Sequence, residues 1–138
     1  MGMKGSLATI DRLMRATNLH DIDAIAACFS DDYVNETPAH PARGFRGRAQ
    51  VRRNWEQILA FVPDIRVEVV RSAVKGDTVW TEWEMRGTRR DGGSQWLSGV
   101  VIFGASDEAI LWARFYLEPV DVSDATVDDA IREQIARR

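Results

Sequence analysis

Cys28 is the only cysteine in the chain, so no intrachain disulfide and no thiolate metal cluster can form. Histidine is almost as scarce. His20 and His40 are the only two, far apart and without ligand spacing, so no protein-built metal site is expected. No apolar run is long enough to span a bilayer. The opening stretch MGMKGSLATIDRLM has one lysine but neither an apolar signal core nor a small-residue cleavage site. A reducing cytoplasm is therefore the expected compartment. A basic excess is missing too: the net charge is -3, which argues against a nucleic-acid face. Arginines 43, 46, 48, 52 and 53 do cluster, but Asp31, Asp32 and Glu56 lie close by, and the run reads as a solvated helix start. What remains is a 138-residue chain, 45% hydrophobic and 28% charged, with the composition of one ordinary globular domain.

The first third has helical periodicity. Leu7, Ile10, Met14 and Thr17 recur at three- and four-residue steps, as do Ile22, Ile25, Ala26 and Phe29. NLHD breaks the pattern between them, and Asp21 is placed to cap the second helix. Cys28 falls inside this apolar run and reads as a small core residue. DDYVNETPAHPARGFRGR, residues 31–48, reads as an irregular segment, because its two X-Pro pairs bias Thr37 and His40 away from helix. After Gly47 a stripe of Val51, Trp55, Ile58, Leu59 and Val62 predicts a third helix that Pro63 stops.

From Asp64 the period falls to two, which predicts about four long strands linked as antiparallel hairpins. In TVWTEWEMRGT, Val79, Thr81, Trp83 and Met85 share one face. QWLSGVVIFGA is apolar on both faces and reads as a doubly covered central strand. Trp80, Trp96 and Trp112 read as core or interface aromatics, and Trp55 as core. The closing segment, acidic at its start and arginine-rich at its end, reads as a helix over about 123–138 beside a core of about 6–120. Its narrow stripe of Val127, Ile131 and Ile135 suits docking on a neighbour or fraying.

The last strand, ILWARFYLE, leaves two readings open. Leu111, Ala113, Phe115 and Leu117 fall on one face, and Trp112, Arg114, Tyr116 and Glu118 on the other. Either the apolar set meets the core, or the polar set lines an internal hollow while the apolar set packs against another subunit.

The order of elements (helix pair, irregular segment, third helix, long curved hairpins) resembles the nuclear transport factor 2-like superfamily and, within it, the SnoaL-like polyketide-cyclase branch. The resemblance implies an α+β cone: a curved antiparallel sheet wrapped around N-terminal helices, with a pocket at the open end and dimerisation through the outer sheet face. It favours the second reading of the last strand. Within the superfamily, Tyr33-Val34-Asn35 followed by Pro38 and Pro41, and Arg114-Phe115-Tyr116-Leu117-Glu118, resemble the limonene epoxide hydrolases. There the tyrosine, the asparagine and a final carboxylate hold and deprotonate a water, which implies that role for Tyr33, Asn35 and Glu118. The hydrolase arginine and proton-donating aspartate are absent, and Trp83 and Met85 stand in their places.

The expected site therefore has Glu118 as base, Tyr33 and Asn35 as positioning groups, and walls of Trp83, Met85, Leu97, Gly99 and Val101. Arg114, Tyr116 and His40 lie beside it, and whether Arg114 pairs with Glu118 is open. The expected function is cofactor-independent acid–base chemistry of isomerase, cyclase or hydratase type on a small, mostly apolar molecule. The alternatives are a non-catalytic ligand-binding or dimerisation module, and an epoxide hydrolase with His40 as substitute acid.

Overall fold

A computed structural model describes residues 5–136, so Arg137 and Arg138, which were expected to close the last helix, lie outside the described residues. Helix α1 (Ser6–Asn18) turns Ile10, Leu13 and Ala16 inward. His20, at φ 58°, breaks the chain after it, and its Nε2 meets the Ile65 carbonyl at 2.7 Å. Asp21 caps α2 (Ile22–Ala27) by accepting from the Ala24 N–H at 3.1 Å, as its position predicts. The helix stops short of Phe29, which opens strand β1 (Phe29–Glu36). Much of the supposed irregular segment is therefore strand. A 3-10 turn at Pro41–Arg43 and a two-residue strand, β2 (Phe45–Arg46), lead into α3 (Arg48–Phe61), which ends just before Pro63. The remaining strands are β3 (Arg66–Lys75), β4 (Thr78–Thr88), β5 (Ser94–Ala105) and β6 (Ile110–Pro119), and α4 (Val127–Ala136) follows.

The strands form one curved, unclosed six-stranded sheet in the order β2–β1–β6–β5–β4–β3. The expectation of about four long strands is right for β3 to β6 and misses β1 and β2. In β1, Asp31, Asp32, Asn35 and Glu36 have low strand propensity, so its pairing rests on neighbours distant in sequence. It runs parallel to β6, with Asn35 beside Ala113 and Glu36 beside Arg114, and antiparallel to β2.

Register decides which side of the sheet each residue faces, because directly opposed residues share a face. Trp83 opposes Gly99, and Gly99 opposes Leu117. Val101 likewise opposes Phe115. The helix-facing side therefore carries Ala113, Phe115 and Leu117, and Trp112, Arg114, Tyr116 and Glu118 look outward. This inverts the reading of the last strand that the family resemblance favoured. Of the apolar set, Ala113, Phe115 and Leu117 meet the core, while Leu111, at the register shift near the start of β6, is exposed.

Trp83, Phe103 and Phe115 form a cluster with ring centroids 6.1 to 6.5 Å apart, and Trp83 is only 2% exposed. The Trp83 indole N–H donates to Thr81 Oγ1 at 2.8 Å, and that hydroxyl donates to the Val101 carbonyl at 2.6 Å. A buried tryptophan with its polar atom satisfied adds apolar area without a desolvation penalty. Gly99 has φ +151°, and a Cβ there would stand 2.1 Å from the Tyr116 carbonyl oxygen. β5 and β6 approach this closely because position 99 has no side chain. On the outer face the Trp112 ring covers Gly104, and β5 is only half covered there: Ile102 is buried, while Trp96, Ser98 and Val100 are partly exposed. Val127, Ile131 and Ile135 of α4 are exposed.

Candidate functional site

A cavity of about 310 Å³ lies between the helices and the concave face of the sheet. That is near the lower end for small-molecule pockets. Its floor and far wall come from Trp83, Met85, Leu97, Phe103, Phe115 and Leu117. Helix α3 supplies a stripe at helical spacing, Val51, Asn54, Trp55 and Ile58, and β1 supplies Phe29, Tyr33 and Asn35. Leu13, Thr37, Arg43 and Phe45 complete the lining.

Tyr33 and Asn35 sit two apart on β1, so they share the inner face, and both are buried. The Tyr33 hydroxyl donates to Asn35 Oδ1 at 2.7 Å, and the ring packs edge-on against Phe29 at 4.7 Å. Burial in this apolar setting pushes the Tyr33 phenol well above its ordinary pKa. It stays protonated and acts as a hydrogen-bond donor. With Oδ1 engaged in this way, the Asn35 N–H₂ has no partner among the described residues.

The other expected site residues divide. Trp83, Met85 and Leu97 line the cavity. Val101 is fully buried in the core beneath them, and Gly99 holds the strand crossing; neither lines the cavity. Glu118, Arg114 and Tyr116 are on the outer face for the reason of register given above. Glu118 instead meets His40, Nε2 to Oε1 at 2.7 Å, with both side chains more than a third exposed. This contact ties the Thr37–Gly44 loop to the outside of β6. Arg114 pairs with Glu36 at 3.2 Å and donates to the Tyr116 hydroxyl at 3.3 Å, so it is not the partner of Glu118. The structure brings Tyr33 and Asn35 together and leaves Glu118 outside their cavity.

Sequence reasoning missed Asn54 and Arg43. Asn54 had a visible signal, as a polar residue inside the apolar stripe of α3; Arg43 had none beyond its arginine-rich run. No group of three metal-ligating side chains is found among the described residues. Cys28 is fully buried, and burial raises the pKa of its thiol, as befits a core residue. No helix among the described residues is long and apolar enough to cross a membrane.

Comparison with known proteins places the fold. No curated protein matches by sequence. Among solved structures, an LEH-like epoxide hydrolase from M. tuberculosis is similar at TM-score 0.70 and 21% identity, over 95% of this chain and 92% of that one. A protein of ketosteroid isomerase-like fold from Catenulispora acidiphila DSM 44928, in complex with trimethylamine, gives 0.68 and 16% over 78% and 84% of the two chains. An NTF2-like protein from Exiguobacterium sp. 255-15 gives 0.67 and 20% over 83% and 99%. At these identities the likeness is one of fold. The SnoaL-like domain profile matches residues 10–113. The chain thus belongs to the SnoaL-like domain family of the nuclear transport factor 2-like superfamily.

Proposed function

We propose that the protein binds a small, mostly apolar molecule in the cavity behind Tyr33 and Asn35, and that it does so without a side-chain base. One observation carries this reading. Every described residue that lines the cavity is apolar, an amide, a hydroxyl or an arginine, and none is a carboxylate, imidazole, thiol or amine. General-base catalysis needs such a group within hydrogen-bond reach of the proton it removes. Buried donors with an apolar wall instead suit recognition of a ligand oxygen. Neutral monoterpene-sized alcohols and ketones, screened by isothermal titration calorimetry, should include binders. Asn35→Leu should weaken the best of them about tenfold, the scale of one buried hydrogen bond. Absence of any binder, or unchanged affinity in that variant, would defeat the reading.

A second reading, turnover by isomerase, cyclase or hydratase chemistry, draws on the Tyr33–Asn35 pair, which can orient a water or a ketone oxygen. It is also in keeping with the epoxide hydrolase among the similar folds. Mass spectrometry of incubated ligands separates the two readings, since binding alone returns every ligand unchanged.

A homodimer through the outer sheet face also belongs to this proposal. Trp80 opposes Ile102, and Val100 opposes Tyr116, which sets an apolar patch on that face with Trp80 half exposed. Light scattering is expected to give a dimer for the parent chain and a monomer for Trp80→Glu. A monomeric parent chain would remove the idea.

A further inference from the structure

We infer that the ligand carries a carboxylate, and that Arg43 receives it where the cavity meets solvent. The inference rests on the proposed binding role of the cavity and narrows its occupant from any small apolar molecule to an apolar body with an anionic end.

The arginines are mostly committed elsewhere. Arg15, Arg48, Arg52, Arg71, Arg86, Arg89, Arg114 and Arg132 each pair with a carboxylate. Arg12 and Arg90 donate to backbone carbonyls, and Arg53 donates to Gln50. Among the arginines of the described residues, only Arg43, Arg46 and Arg66 have a guanidinium without a hydrogen-bond or ion-pair partner, and of these only Arg43 lines the cavity. It closes the 3-10 turn that Pro41 begins, and its backbone N–H donates to the His40 carbonyl at 2.9 Å. His40 is itself bonded to Glu118. The segment that presents Arg43 is therefore tied at both the backbone and the side-chain level, while the guanidinium is left free.

The other unpaired polar groups of the lining point to the same ligand chemistry. Arg53 donates to Gln50 Oε1 at 2.6 Å, and a guanidinium can only donate, so the orientation of the Gln50 amide is fixed. Gln50 Nε2 then donates to Asn54 Oδ1 at 2.7 Å, which leaves the Asn54 N–H₂ unpaired. Asn35 is left in the same state by Tyr33. The Trp55 indole N–H, a donor with no acceptor capacity, is also without a partner among the described residues. Apart from the Thr37 and Tyr33 hydroxyls, the free polar groups are N–H donors, and no lining side chain carries a negative charge. Such a lining favours oxygen acceptors, and an arginine among them favours a carboxylate, which its fork can hold through two parallel bonds. The net charge of -3 gives the chain no general attraction for anions, so the preference has to be local.

Three ligands with one carbon skeleton test this: geranate, geraniol and methyl geranate, titrated calorimetrically at pH 7.5. The parent chain should bind geranate about tenfold more tightly than the ester or the alcohol, the scale of a partly exposed charge-assisted pair. Arg43→Met should erase that margin, so that geranate binds no more tightly than the ester or the alcohol. Arg46→Met, which removes an unpaired arginine outside the cavity lining, should leave the margin intact. Equal binding of all three ligands, or a margin that survives Arg43→Met or vanishes in Arg46→Met, overturns the inference while the binding role stands. Failure of all three to bind overturns the binding role and this inference together.

Discussion

A Gly99→Ala chain is expected to lose about 3 kcal/mol of folding stability, roughly 1–2 from backbone strain and the rest from overlap. At φ +151° the backbone at position 99 is in a region that side chains avoid. The added Cβ would also meet the Tyr116 carbonyl oxygen, with Leu117 Cα 3.0 Å away. Both neighbours are backbone, so no rotamer change relieves the contact. Only separation of β5 from β6 would, and it would disturb the strand that carries Phe115 and Leu117 into the cavity. Gly76→Ala is the control. It has positive φ as well, at 60°, but open space around the new methyl group, so it should cost only about 1 kcal/mol. Urea unfolding of the two variants beside the parent chain measures the difference. A Gly99→Ala chain within about 0.5 kcal/mol of the parent would contradict the described crossing of the two strands.

Trp83→Ala should be more damaging still, at about 3–5 kcal/mol, the range for large aromatic truncations in cores. Its ring is buried against Phe103 and Phe115, so the vacated space cannot close without moving both. Trp83→Phe separates the contributions. It keeps most of the packing and gives up the bond to Thr81 Oγ1, for a loss of about 1 kcal/mol from that bond. The functional consequence runs with the structural one, because the same ring forms part of the cavity wall. Equal losses in the two variants, read from urea midpoints at constant slope, would show that the ring is not a packing element.

The parts of the fold legible in the sequence were those with one strong period. Alternation in β4 put Val79, Thr81, Trp83 and Met85 on one face, and all four are buried. The α3 stripe and its Pro63 stop were equally plain. β6 was ambiguous because both of its faces hold large aromatics, Phe115 on one and Trp112 and Tyr116 on the other. Periodicity states that two faces differ without stating which is inside. The deciding information is register, a pairwise property: Leu97, Gly99 and Val101 oppose Pro119, Leu117 and Phe115. A wall built from the first three excludes Glu118 from the same face. β1 was hidden for a related reason, since its acidic and amide residues carry no strand signal and its partner β6 is far along the chain. Tyr33 and Asn35 were identified as a pair from a resemblance, and the geometry of β1 supports their meeting. Arg43 was invisible because its distinguishing property is the absence of a partner, which only coordinates reveal.

The parallel pairing of β1 with β6 has a consequence for assembly. The Arg114–Glu36 contact joins residues 78 positions apart, so closing that part of the sheet is a late, entropically slow event. During synthesis the N-terminal helices and β1 emerge long before the partner strand β6. A nascent chain halted before Ile110 would expose the unpaired edges of both β5 and β1, a species prone to aggregation and suited to chaperone capture.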